Sequence, residues 1–185
     1  METKDKHMLG TSGYGRVEHD LYETPAWCTE VLLRHMVFQK HIFEPAAGRG
    51  AIAKVLERHN YVPVCHDIVV RDYQPCVQSD FFKAPRVLQH FDIITNPPYD
   101  KAEEFVRHAL AITGGTQKLA MLLRNEWDCA HTRTDLFTND VFRMKIVLTR
   151  RPRWIANTDG SPRHNYAWYV WCHGWYAPPE LRYGR

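Results

Sequence analysis

The sequence predicts an α/β protein built on a doubly wound sheet. Short apolar runs alternate with helix-forming segments through five units, and two more strands follow. A turn of small residues and glycines follows the first strand, and a rigid proline turn follows the fourth. Both turns lie where a strand gives way to a helix, which is the sheet edge where α/β folds bind ligands.

The composition is that of one soluble domain, with 185 residues, 44% of them hydrophobic and 24% charged. We expect a single domain at residues 20–173, preceded by a flexible arm at 1–19 and followed by an extended tail at 174–185. No apolar run is long enough to span a membrane, and the charged start of the chain is followed by no signal segment.

The cysteines indicate a cytoplasmic protein. There are five, widely spaced and without a Cys-x-x-Cys pair, which favours reduced thiols. The eleven histidines form no pair at zinc-site spacing. The sequence therefore predicts no metal site.

The first expected helix follows residues 20–25. Thr24 can cap this helix, and Pro25 suits its first turn. Five residues at near-helical spacing give the helix one apolar stripe that can pack on a sheet: Trp27, Val31, Leu32, His35 and Met36.

The first strand, at 41–44, leads into the turn at 45–50 and a helix at 51–59. Small residues at such a turn let a ligand approach the backbone closely. The spacing is not G-x-G-x-x-G and no P-loop lysine follows, which disfavours an NAD or nucleoside triphosphate site. The second strand, at 61–66, ends at Asp67, where doubly wound folds commonly place an acid for ribose hydroxyls. The alternative is an aspartate that opens a loop.

A short third strand is expected at 76–78. Asp80 and Phe81 follow it, and they could bind and cover an adenine ring or equally form a helix cap and a core aromatic. The fourth strand, at 91–95, is β-branched and apolar, and a helix is expected at 101–112.

A fifth strand at 118–123 is expected to lead into a helix from Arg124 to about Leu136. Two further strands follow at 142–148 and 166–172, the last with alternating aromatic residues.

The proline turn has the sequence Asn96-Pro97-Pro98-Tyr99. Two prolines make it rigid, remove two backbone donors and leave carbonyls to accept hydrogen bonds. The Asn96 amide adds an acceptor, and Tyr99 adds a flat face with a polar tip. These groups suit a planar ring with an exocyclic amino group. The alternative is a proline-rich turn without chemistry.

The segment from Arg143 to Arg163 is strongly basic. It has six basic residues and one acid, a net charge of +5, against +3 for the whole chain. A basic loop that contains an aromatic residue is typical of a nucleic-acid contact, and a solvated surface loop is the alternative. The nucleic-acid contacts we expect are Arg124, Arg150, Arg151, Arg153, Trp154, Arg163, His164 and Asn165.

These motifs together resemble the class I S-adenosylmethionine-dependent methyltransferases that act on adenine N6 in DNA, over about residues 20–172. Residues 96–99 resemble the catalytic motif IV, residues 43–50 the cofactor motif I in its Glu-Pro-Ala form, and residues 22–25 motif X. The order of the motifs resembles that of the gamma group, and the compact chain resembles the stand-alone adenine methyltransferases of phages and prophages.

The resemblance implies S-adenosylmethionine as cofactor and seven strands in the order 3-2-1-4-5-7-6, with strand 7 antiparallel. It implies catalysis by Asn96, Pro97, Pro98 and Tyr99. The cofactor-binding residues that it implies are Tyr22, Thr24, Pro25, Glu44, Pro45, Ala46, Gly48, Gly50, Asp67, Asp80, Phe81 and Asn96.

Two departures leave the substrate open. The chain has no space for a separate target-recognition domain after residue 172, so recognition would fall to residues 149–165, the arm or a second subunit. The same tetrapeptide also occurs in RNA-adenine and protein-glutamine methyltransferases. The expectation is DNA adenine, followed by RNA adenine, and then by protein glutamine or a non-catalytic binding module. Either a monomer or a homodimer is compatible with the sequence.

Overall fold

The computed structural model describes residues 22–84, 91–154 and 164–185. These form one eight-stranded sheet in the order β3-β2-β1-β4-β5-β7-β6-β8. The strands are β1 (His41–Glu44), β2 (Val62–Asp67), β3 (Cys76–Gln78), β4 (Asp92–Thr95), β5 (Lys118–Arg124), β6 (Phe142–Leu148), β7 (Tyr166–Cys172) and β8 (Glu180–Gly184). The helices are α1 (Ala26–His35), α2 (Ala51–Arg58), α3 (Ala102–Ile112) and α4 (Thr134–Phe137).

The order of the first seven strands confirms the expected fold. β3, β2, β1, β4 and β5 pair in parallel, and β7 is antiparallel to both β5 and β6. The eighth strand was not expected. Residues 180–184, inside the segment expected to be an extended tail, pair in parallel with β6 over five positions. A five-residue run after two prolines gives too weak a pattern for a strand to be predicted.

The prediction of a helix from Arg124 to about Leu136 is wrong. β5 includes Arg124, and the chain beyond it forms short 3₁₀ turns and the four-residue α4. The side chains of Lys145 and Tyr169 donate to the carbonyl of Asn125 at 2.7 and 2.8 Å. In an α-helix that carbonyl would accept from the amide four residues on. Side chains from β6 and β7 therefore take the place of helical hydrogen bonds.

The core has one layer on each face of the sheet. Alternate residues of β7 supply both layers: Trp168 packs in the α1 layer, and Trp171 packs in the layer of α3 and α4. Trp168 Nε1 donates to the carbonyl of Cys28 at 2.8 Å, and Trp171 Nε1 donates to that of Leu136 at 2.7 Å. Each buried indole thus satisfies its one donor on the helix it packs against. The longest helix of the described chain, α3, has 11 residues, and none is long and apolar enough to cross a membrane.

The turn after β1 requires glycine at residue 50. Gly50 has φ +72° and precedes α2. A Cβ atom there would lie 2.4 Å from the ring of Tyr73, which is 7% exposed. Both the backbone conformation and the space therefore exclude a side chain.

Gly50→Ala is expected to lower the free energy of unfolding by about 2–5 kcal/mol, because a left-handed conformation costs about 1–2 kcal/mol and an overpacked contact costs about 1–3 kcal/mol. Gly115→Ala is the matched control. Gly115 has φ +62°, but a Cβ atom there meets nothing within 4 Å, so only the conformational cost of about 1–2 kcal/mol applies. Urea unfolding of both variants measures the difference, and equal losses would contradict the role of Tyr73.

Candidate active site

A cavity of about 480 Å³ lies at the carboxyl ends of β1, β2 and β4. This volume is in the range of small-molecule sites. Most of the cofactor residues expected from the sequence line it: Tyr22, Thr24, Glu44, Pro45, Ala46, Gly48, Asp67, Asp80, Phe81 and Asn96. Pro25 and Gly50 are not in the lining. They directly precede α1 and α2.

Asp67 fastens the glycine turn to the end of β2. Its Oδ2 accepts from the amide of Gly48 at 2.8 Å, and its Oδ1 accepts from the amide of Val69 at 2.9 Å. Arg71 pairs with the same Oδ1 at 3.3 Å. A carboxylate offers about four accepting positions, so Oδ2 retains one, and Asp67 lines the cavity.

Glu44 is a buried acid in the cavity wall, with only 1% of its surface exposed. Burial raises the pKa of this carboxyl well above its usual range. The Cys65 thiol lies 3.9 Å from Oε2 as a weak donor, and burial raises the pKa of that thiol as well. The Glu44 carboxyl is therefore a proton-binding group beside the cavity.

Asp80 and Phe81 match both alternatives that the sequence left open, a helix cap with a core aromatic and a pair that lines a ligand site. Asp80 Oδ1 accepts from the amide of Phe82 at 3.0 Å and caps a 3₁₀ turn. Phe81 is 3% exposed, and its ring centroid lies 4.8 Å from that of Phe105. Both residues nevertheless line the cavity, together with Phe82. No sequence pattern distinguished Phe82 from Phe81.

The amide of Asn96 is held in one orientation. Its Nδ2 donates to Thr24 Oγ1 at 3.2 Å and to the carbonyl of Tyr22 at 3.4 Å. A carbonyl only accepts, so the nitrogen must face it and Oδ1 must face the other way. Oδ1 is buried and has no hydrogen-bond partner among the described residues. Thr24 was expected to cap α1, but no side chain caps that helix because the Thr24 hydroxyl faces Asn96.

Four aromatic side chains gather beside Asn96 and form what we call the aromatic cluster: Tyr22, Tyr99, Trp154 and Tyr166. Tyr22 and Tyr99 stack with centroids 6.2 Å apart. Trp154 meets Tyr22, Tyr99 and Tyr166 edge-on at 6.2, 6.3 and 4.7 Å. The hydroxyl of Tyr99 is buried, and burial raises its pKa well above the usual value. The cluster lies beside Asn96, because the carbonyl of Tyr22 accepts from the Asn96 amide and Tyr99 ends the same proline turn.

Of the expected nucleic-acid contacts that lie in the described ranges, only Trp154 joins the aromatic cluster. Arg150 lies over the ring of Trp27, 5.4 Å from its centroid, and Arg151 Nε donates to Asn165 Oδ1 at 2.9 Å. Three more are exposed on the surface: Arg124, Arg153 and His164. Arg163 lies outside the described residues.

The net charge of +5 counted from Arg143 to Arg163 overstates the positive charge that is open to a ligand, because two of the basic residues are in ion pairs. Arg143 is 8% exposed and pairs with Glu180. Lys145 pairs with Asp128 at 2.7 Å. Both therefore contribute to the fold, and neither contributes to an open basic surface.

Several residues that line the cavity were not singled out in the sequence. Three of them lie inside the motifs at 22–25 and 43–50, namely Glu23, Ala47 and Arg49. The others lie outside the motifs, where no local pattern distinguishes an ordinary polar or apolar residue: Ala51, Ile52, Ile68, Arg71, Ser79, Phe82, Asp100, Lys101 and Phe105. Within the described ranges, no group of three or more His, Cys, Asp or Glu side chains is placed to hold a metal ion.

No protein-family model matches the sequence, and no curated protein matches it. Solved structures do match. A predicted O-methyltransferase from Agrobacterium tumefaciens is 18% identical, with 86% of each chain covered and a TM-score of 0.57. A putative class I S-adenosylmethionine-dependent methyltransferase from Listeria monocytogenes is 12% identical, with 92% of this chain and 67% of that chain covered and a TM-score of 0.59.

A putative RNA methyltransferase from Pyrococcus horikoshii is also 12% identical, with 89% and 92% covered and a TM-score of 0.62. Likeness at such identities establishes the fold, which is the Rossmann-like α/β fold of these methyltransferases. The names of the matching structures differ in the substrates they give, so the substrate has to be argued from the site.

Glu44→Gln is expected to raise stability at neutral pH and to change little at pH 4 in the ligand-free protein. The folded pKa of Glu44 lies above its ordinary value of 4.5. The protonated form therefore stabilises the folded state below that value, and this contribution is lost as pH rises to the folded pKa. Between the two pKa values, each rise of one pH unit removes about 1.4 kcal/mol of stability. Urea unfolding across this window measures the effect.

The exposed Glu104→Gln on α3 is the control for loss of one charge. If both variants followed the wild-type pH profile, the buried proton would not reside on Glu44.

Proposed function

We propose that this protein transfers a methyl group from S-adenosylmethionine to the exocyclic N6 of adenine in DNA. The observation that carries the proposal is the oriented, buried and unpaired Oδ1 of Asn96, which lies in a rigid proline turn beside the aromatic cluster. An unpaired buried acceptor costs about 1–3 kcal/mol. An amino group of a ligand that donates a hydrogen bond to this oxygen removes that cost.

The cavity fits S-adenosylmethionine in volume and in chemistry. In the proposal, the turn at 45–50 and Glu44 hold the methionine end of the cofactor, and Asp67 Oδ2 has an accepting position for a ribose hydroxyl. Asp80 and Phe81 hold the adenine ring in the proposal, and Phe82, which the sequence did not identify, lines the cavity beside them. The Thr24 hydroxyl accepts from Asn96, so its own hydrogen remains available for the cofactor carboxylate. When bound, the cofactor supplies an electrophilic methyl group on sulfur.

The chain itself supplies position and charge stabilisation. In the proposed mechanism, Asn96 Oδ1 and the Pro97 carbonyl accept the two amino protons of the target base. These bonds draw the nitrogen lone pair out of conjugation with the ring and aim it at the methyl carbon. The nitrogen–methyl bond would form as the methyl–sulfur bond breaks, and the nitrogen would then lose one of its two protons to solvent. The bonds from Nδ2 to Thr24 and Tyr22 prevent the amide from turning its nitrogen toward the base. Pre-set acceptors of this kind stabilise the positive charge that develops on nitrogen.

The aromatic cluster supports a nucleobase as the substrate. In the proposal the target ring stacks on Tyr99, which in this structure stacks with Tyr22 and has Trp154 edge-on beside it. In duplex DNA the base has to leave the stack, at about a few kcal/mol, and aromatic stacking offsets part of that cost. The exposed Arg124, Arg153 and His164 are candidates for phosphate contacts.

The proposal is tested by methyl transfer from labelled cofactor to single-stranded DNA, duplex DNA and RNA, with the products digested to nucleosides and identified by mass spectrometry. N6-methyldeoxyadenosine is the expected product. N6-methyladenosine from RNA alone would keep the site chemistry and change the polymer. Absence of any methylated nucleoside, with cofactor binding intact, would overturn the proposal.

Asn96→Ala is expected to lower kcat by about 10²–10³-fold, the usual loss when one pre-set polar group at a developing charge is removed. Cofactor affinity, measured by calorimetry, should change little, because most of the cavity wall is untouched. Asn96→Asp is the matched variant. It keeps an acceptor at Oδ1 and is expected to retain more activity than alanine. Wild-type turnover by Asn96→Ala would exclude this mechanism.

Tyr99→Ala is expected to reduce kcat/KM more on duplex than on single-stranded DNA, by about tenfold or more, because base stacking contributes about 1–3 kcal/mol and only the duplex base must first unstack. Parallel rate assays on one sequence in both forms measure the ratio. Equal losses on the two substrates would argue against a role in holding an extruded base.

A further inference from the structure

A second cavity, of about 300 Å³, lies on the opposite edge of the sheet. Its walls come from the end of α1, the start of β5, β6 and β8, and the end of β7. β5, β6 and β8 run in the same direction as β1 and β4. Their starts therefore lie at the edge away from the candidate active site, and this cavity is independent of the function proposed above.

The wall of the second cavity is positively charged. Its cations are Arg34, Lys118, Arg143 and Arg182, and Glu180 is the single acid that the described residues contribute to it. The formal charge of the lining is thus +3, and Asp92, which pairs with Lys118 at 4.0 Å without lining the cavity, lowers the net charge around it to +2. Such a concentration favours an anion with more than one negative charge.

Arg143, in the wall of the second cavity, has a buried donor without an acceptor, which is independent of the charge of the wall. It is 8% exposed, and one of its terminal nitrogens, Nη2, donates to Glu180. The other, Nη1, is buried and has no partner among the described residues. The guanidinium lies 4.5 Å from the ring centroid of Trp175, which covers it and is itself 44% exposed. A buried charged donor without an acceptor is costly, and an oxyanion in the cavity would supply one.

We propose that the second cavity binds a phosphate group. A phosphate offers several oxygens to forked guanidinium donors. Its two negative charges also match the excess of cations better than one carboxylate does. Arg143 and Arg182 approach from the sheet and Arg34 from α1, so an anion between them is contacted from more than one side.

The phosphate could be the free ion or the phosphate of a nucleotide. The exposed part of the Trp175 ring is a surface on which a base could stack next to the phosphate. Inorganic phosphate and thymidine 5′-monophosphate distinguish these two sources of the same group.

The experiment is calorimetric titration of the full chain with each probe at matched ionic strength, with chloride as the reference salt. Arg34→Gln and Arg182→Gln remove exposed cations of the cavity, and Arg143 stays in place so that the fold is preserved. Arg58→Gln is the matched control, because Arg58, like Arg34, is in the last turn of a helix but lies outside the cavity.

Saturable binding of phosphate is expected, weakened about tenfold or more by each cavity variant, as for the loss of one charge-assisted hydrogen bond, and unchanged by Arg58→Gln. Tighter binding of the nucleotide, abolished by Trp175→Ala, would identify a nucleotide site. Equal binding of the two probes would identify a site for the phosphate group alone. No saturable binding to the wild type, or an equal loss in Arg58→Gln, would overturn the proposal.

Discussion

The side-chain amide of Asn96 is the group on which the organisation of the candidate active site depends. Its nitrogen is fixed by Thr24 and Tyr22, so its oxygen faces away from these two partners and has no partner among the described residues. The three residues come from two distant parts of the chain, one before α1 and one after β4. Since α1 packs on the sheet, the segment that orients the amide is fixed by the fold. The hydrogen bonds of the Asn96 amide to Thr24 and Tyr22 thus connect the cavity, the proline turn and the aromatic cluster.

The sheet makes this arrangement possible because β1, β2 and β4 end at the same edge. The glycine turn is tied to β2 through Asp67, and the proline turn follows β4 directly. The carbonyl and carboxylate groups at these strand ends therefore converge on one cavity. The opposite edge gathers cations in the same way, from the starts of β5, β6 and β8. The residues that line the two edges of one sheet thus differ in charge.

The parts of the fold that short local patterns determine were predictable from the sequence. The buried runs at β1, β4 and β5, the glycine turn and the proline turn all lie at the expected positions. The strand order came from the family resemblance, since spacing alone does not determine which strands are neighbours. The missing helix after β5 depends on Lys145 and Tyr169, which are distant in sequence from the Asn125 carbonyl. The pairing of Arg143 and the orientation of Asn96 likewise depend on tertiary contacts that no local pattern contains.

The position of β7 between β5 and β6 has a consequence for folding. On the side away from β4, β5 pairs with residues that follow it by more than 40 positions, from Lys118↔Cys172 to Arg124↔Tyr166. Contacts of such long range slow folding, because the entropy of loop closure is lost before they form. Until residues 166–172 have been synthesised, this edge of β5 remains open to other strands, which is a risk for aggregation. When β7 inserts, Trp168 and Trp171 complete both core layers together. We therefore expect the closing of the central sheet to be a late step in the formation of this protein.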